Sequence, residues 1–72
     1  MQTPEYESNQ YAFYRLRAGA SLVRKRDNAS VYFRPGDDTA TAEANAAHCF
    51  APPDMFPGES ARVFNQWAAE YF

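Results

Sequence analysis

Residues 10–34 read QYAFYRLRAGASLVRKRDNASVYFR, and the way this stretch divides decides the fold. It is rich in Tyr, Phe, Val and Arg, and two turn signals cut it into runs of strand length: Tyr11–Arg17, Ser21–Arg26 and Ala29–Arg34. The first signal is Ala18-Gly19-Ala20, where glycine takes positive φ without a steric penalty. The second is Asp27-Asn28, a pair that tolerates the left-handed backbone of a tight hairpin. Three consecutive strands with short turns predict an antiparallel meander over about 11–34.

Register decides what that meander displays, because a one-residue slip moves a strand's side chains to the opposite face. Two readings compete. A two-residue first turn puts Arg15, Arg17, Arg24 and Arg26 on one face with Phe13, Leu22, Val31 and Phe33, an arrangement that looks hard to bury. A three-residue loop with Gly19 at a bulge aligns Tyr14, Leu16, Leu22, Val31 and Phe33 on one face. Phe13, Arg15, Arg17, Val23, Lys25, Tyr32 and Arg34 then share the other. The second separates apolar from charged side chains better and is the expected register. It leaves a basic, aromatic face open, with the stems of Arg24 and Arg26 packed at the margin of the buried face.

Downstream, Pro35-Gly36 ends the sheet, and Asp37-Asp38-Thr39 offers cap oxygens and negative charge to a helix N-terminus. A first helix is expected over about 39–49, lying close to the sheet through a stripe of Ala40, Ala44 and Ala47. Ala51-Pro52-Pro53 stops it, since proline lacks the amide donor, and an extended loop over 52–57 follows. The second helix is expected over about 58–71, with Ala61, Phe64, Trp67, Ala68 and Tyr71 on its apolar face. Upstream, residues 1–9 are polar and acidic and predict a flexible arm that Tyr6 pins. The whole reads as one α+β domain over 10–72 in β-β-β-α-α order, with both helices on one face of the sheet.

In a chain of 72 residues the apolar inventory is lopsided: twelve aromatics, two leucines, three valines and no isoleucine. Rings must therefore build the core. Each buries about 150–250 Å² and contributes about 4–6 kcal/mol as an upper bound before entropy is subtracted, so six or seven buried rings would hold the fold. Charge is divided along the chain. Residues 11–34 carry Arg15, Arg17, Arg24, Lys25, Arg26 and Arg34 against Asp27, and residues 35–72 carry Asp37, Asp38, Glu43, Asp54, Glu59 and Glu70 against Arg62. The net charge of −2 conceals this division.

Chemistry-bearing groups are sparse. One cysteine, Cys49, forms no internal disulfide, which points to an intracellular, cytoplasmic protein, and the N-terminus shows no signal-peptide pattern. His48 and Cys49 are adjacent on a helix and diverge by about 100°, so they neither converge as a nucleophile pair nor supply the ligand count of a zinc site. Cys49 is expected in the core and His48 in solvent. Asp37 and Asp38 read as helix-terminus charges, and Pro35-Gly36-Asp37-Asp38 lacks a phosphate-loop lysine. Trp67 is expected to pack in the core, with Phe72 free to seal a contact. An enzyme, a cofactor and a metal are not expected.

What is expected is a noncatalytic protein-binding module whose contact residues are Phe13, Arg15, Arg17, Lys25, Tyr32 and Arg34, set against a larger protein partner. Nucleic acid on the same basic aromatic face is the alternative. A homodimer or larger self-assembly, basic sheet against acidic helices, is a third, and no membrane association is expected. In size and character alone the chain is similar to accessory proteins of bacteriophage and mobile elements that inhibit host systems, anti-CRISPR proteins among them. No residue motif carries that likeness.

Overall fold

The computed structural model describes residues 3–51 and 58–72; the extended loop expected over 52–57 lies outside the described residues, as do the first two residues of the expected arm. Among the described residues the chain forms strands β1 (Tyr6–Glu7), β2 (Tyr11–Arg15), β3 (Ala20–Arg24) and β4 (Ala29–Phe33), then helices α1 (Asp37–Phe50) and α2 (Glu59–Ala69). The strands lie in one antiparallel sheet in the order β1-β2-β3-β4. This is the expected α+β class and order, with one strand more than the meander alone.

The additional strand, β1, falls inside the segment expected to be an arm. Two residues give no readable alternation; what builds β1 is Ser8. Its backbone N–H donates to Tyr11 O at 2.8 Å, and its hydroxyl oxygen accepts from the N–H groups of Gln10 and Tyr11 at 3.2 and 3.1 Å. The same hydroxyl donates to Asn65 Oδ1 on α2 at 2.5 Å. A buried hydroxyl with donor and both lone pairs used costs little to desolvate, and this one ties the first turn to the last helix.

The β2–β3 register pairs Phe13 with Leu22 and Arg15 with Ala20 across a Leu16–Gly19 turn, in which Leu16 N–H donates to Gly19 O at 3.1 Å. An even-numbered turn has the parity of the two-residue reading, so the expected three-residue loop is overturned. Phe13, Leu22 and Phe33 all face the helices and are buried, Phe13 completely. The arginines do not forbid this. Arg17 and Arg26 lie outside the strands, while Arg15 and Arg24 occupy the ends of β2 and β3, where their heads reach water past the helices. Arg15 pairs there with Glu43 of α1. Arg24 is held by Asp27 at 3.0 and 2.7 Å and stacks 4.9 Å over the Phe72 ring.

The core is aromatic, as composition requires. Tyr11, Phe13, Phe33 and Phe64 are buried, with Tyr6, Phe50 and Trp67 packed partly against them. Their contacts trace the helix paths. Thr39 of α1 sits at the end of β4, its Oγ1 2.6 Å from Arg34 O, and Phe50 stacks on Tyr6 of β1 at 5.7 Å, so α1 crosses the sheet from one edge to the other. The second helix returns: Asn65 meets Ser8, Trp67 lies 6.3 Å from Phe13, and Tyr71 just beyond the helix meets Phe33 edge-on at 5.2 Å.

Two expectations about α1 are corrected. Its N-cap is Gly36 at φ 101° with no side-chain cap bond, and Asp37 and Asp38 sit in the first turn as charges at the positive end of the helix. Its buried stripe is Thr39, Ala42, Ala46 and Cys49, leaving Ala40 and Ala44 exposed and Ala47 half-buried. An alanine-rich helix has no bulky side chain to set its rotation. The Thr39 anchor on β4 and the Cys49-Phe50 end set it instead. Cys49 is buried and His48 exposed, as expected.

Candidate functional site

Both helices lie on the Phe13 face, so among the described residues the opposite face of the sheet is uncovered. Alternation along the strands places Glu7, Ala12, Tyr14, Ser21, Val23, Lys25, Ser30 and Tyr32 there. Tyr14, Leu16, Ser21, Val23, Asn28 and Ser30 line a shallow depression in it, and Tyr32 stands beside them 57 % exposed, its hydroxyl donating to Ala18 O at 3.0 Å. The middle of the face is neutral. Charge enters at one margin through Lys25, whose ammonium meets Glu7 at 2.5 Å, and at the other through Arg34, which continues the β4 alternation.

The expected contact residues therefore separate. Lys25, Tyr32 and Arg34 are on the uncovered side. Phe13 is in the core, Arg15 is on the helix side bonded to Glu43, and Arg17 is in the β2–β3 turn. Arg17 borders a groove of about 650 Å³ between that turn and the start of α1, whose other wall includes Ala40, Ala44 and Ala47. The expectation missed Tyr14, Ser21 and Ser30. The signal for Tyr14 was the even-turn reading of the first hairpin; for the serines it was alternation within strands already located.

The sheet's edges differ. At one side β1 has two residues; at the other β4 has five, Ala-Ser-Val-Tyr-Phe, with no charge, proline or bulge. Hydrogen-bond phase follows from the ladder. Lys25 N–H donates to Gln10 O at 2.9 Å and Leu16 N–H to Gly19 O, so odd-numbered residues of β3 bond β2 and even-numbered ones bond β4. Ala29, Val31 and Phe33 are then the β4 residues that exchange bonds with β3. Ser30 and Tyr32 turn their N–H and C=O groups outward from the sheet.

Cys49 is buried, its thiol donates to Asn45 O at 3.2 Å, and burial pushes its pKa up, which opposes thiolate formation. Among the described residues no three His, Cys, Asp or Glu side chains cluster as metal ligands, and no helix is long and apolar enough to cross a membrane. Among the described residues, fold and surface define a small α+β domain with a one-sided sheet, bare on one face and along one edge. No protein family, curated protein or solved structure matches the chain.

Proposed function

We propose that this chain is a noncatalytic protein-binding module that docks a larger protein on its uncovered sheet face. The observation that carries the reading is the composition of that face: Tyr14, Val23 and Tyr32 among the hydroxyls of Ser21 and Ser30, with charge only at the margins. Tyrosine supplies broad amphipathic contact with few rotamers to freeze, and serine supplies adaptable hydrogen bonding. Cations border it. Lys25 is held by Glu7, but Arg34 has no carboxylate partner among the described residues, so a partner with an acidic rim is favoured. Such a domain acts by occupying a surface, the mode of a small phage-type inhibitor of a host protein.

Nucleic acid is the weaker reading. Glu43, Asp27 and Glu7 hold Arg15, Arg24 and Lys25, which cuts the positive charge left for phosphates. The immobilised chain should retain a specific protein from host lysate, and the Tyr14→Ser/Tyr32→Ser double variant should lose it while Ala44→Glu, in the groove beyond the turn, retains it. Equal capture by both variants would refute the face. Retained material that is nuclease-sensitive and elutes with modest salt would transfer the surface to nucleic acid.

A further inference from the structure

We propose that two copies of this chain pair through β4, edge to edge and antiparallel, to form one sheet of twice the width with every helix on one side. A five-residue edge of high β propensity without lysine, proline or bulge lacks the devices by which proteins protect edges. Neither helix covers it: α1 leaves β4 at Thr39 and crosses toward β1, and α2 reaches the Phe33 end only through Tyr71. Ser30 and Tyr32 are both exposed, and their outward amide groups are those that a two-fold partner needs.

Sequence then selects the register. With the axis at Val31, Ser30 lies opposite the partner's Tyr32 and Tyr32 opposite the partner's Ser30, each pair exchanging both its N–H···O bonds. Arg34, without a carboxylate among the described residues, then meets the partner's Asp27-Asn28 turn. Asp27 already binds Arg24, yet its side chain is 46 % exposed and its carboxyl is held at about 2, well below the ordinary carboxylate value, so it stays anionic. A shift by two residues one way sets Arg34 against the partner's Arg26; the other way carries the Asp27 turn beyond the pairing. Charge thus favours the central register, which also places Tyr32 diagonal to the partner's Tyr32 on the uncovered face. This pairing uses the β4 edge and leaves the centre of that face open, while drawing on Arg34 at its margin.

Sedimentation of the purified chain alone, from about 1 µM to about 1 mM, tests it. A concentration-dependent dimer is expected, at least tenfold weaker in Arg34→Glu. Ser30→Pro should be a folded monomer, because the proline replaces an amide that bonds nothing among the described residues. Val31→Cys should cross-link to a covalent dimer on mild oxidation, since non-hydrogen-bonded opposite residues approach within disulfide range, whereas Ser30→Cys should not. A monomer throughout the range, or a Val31→Cys variant no more cross-linked than the wild type with Cys49 alone, would overturn the pairing. So would dimerisation of a folded Ser30→Pro variant at wild-type strength.

Discussion

Phe13→Ala should remove about 3–5 kcal/mol of stability, and Tyr14→Ala, the next residue of the same strand, less than about 1 kcal/mol. Phe13 has no exposed surface, and its ring centroid lies 6.2 Å from Tyr6, 6.1 Å from Phe33 and 6.3 Å from Trp67. Truncation leaves a hole walled by rings from β1, β4 and α2, and these cannot all collapse into it without losing contacts with Phe50, Phe64 and Tyr71. Tyr14 loses only a half-exposed face above Ser21. A domain of this length holds roughly 4–11 kcal/mol in all, so the Phe13 variant retains a small margin or none. Urea unfolding followed by far-UV dichroism and by Trp67 fluorescence measures the difference. With a slope of about 1 kcal/mol/M, the Phe13→Ala midpoint should drop by about 3 M or vanish, and the Tyr14→Ala midpoint should move by less than about 1 M. Equal losses, or the reverse order, would mean that β2 presents its other side to the helices.

Gly19→Ala should cost about 2–4 kcal/mol, because φ there is +93° and an added methyl would press on the Phe33 carbonyl oxygen and approach the Tyr32 hydroxyl to 2.8 Å; a loss below about 0.5 kcal/mol by urea unfolding would contradict that contact. Asp27 should shape the acid limb of stability. Hydrogen bonds from Arg24 and from the Ala29 N–H hold its carboxyl at about 2 against an ordinary 3.8, so its contribution is complete above about pH 4 and is lost as pH falls through about 2. Asp27→Asn should flatten stability over that window, and an unchanged acid limb would refute the assignment.

Within each element the sequence was a good guide. The β3 and β4 runs lie on the expected faces, Leu22, Val31 and Phe33 toward the helices and Val23, Lys25, Tyr32 and Arg34 away from them. The second turn keeps the expected parity but spans four residues, 25–28, because β3 ends at Arg24 and not at Arg26; Asn28 takes the left-handed position at φ 59°. Only β2 was reversed, and Phe13 and Arg15 went to the wrong side with it. Glycine in the first turn fits a three-residue bulged loop and the observed Leu16–Gly19 turn equally well. The expected register rests on arginine not sharing a face with buried rings. At the ends of β2 and β3 it does, because Glu43, Asp27 and Phe72 receive the guanidinium heads at the margin. The same limit explains β1, which depends on a hydroxyl bonded to a residue 57 positions away.

Local covalent geometry makes side chains alternate along a strand and recur along a helix, so class, the order of elements from β2 to α2 and the aromatic core are properties of the sequence by itself. Alternation carries no phase. Which side of β2 is inside, which stripe of α1 is buried and which strand is left as a bare edge depend on contacts between elements: the hairpin's parity, the Thr39 anchor and the crossing of two helices. Those contacts turned an expected basic face into a neutral tyrosine face, and they made β4 an uncovered edge.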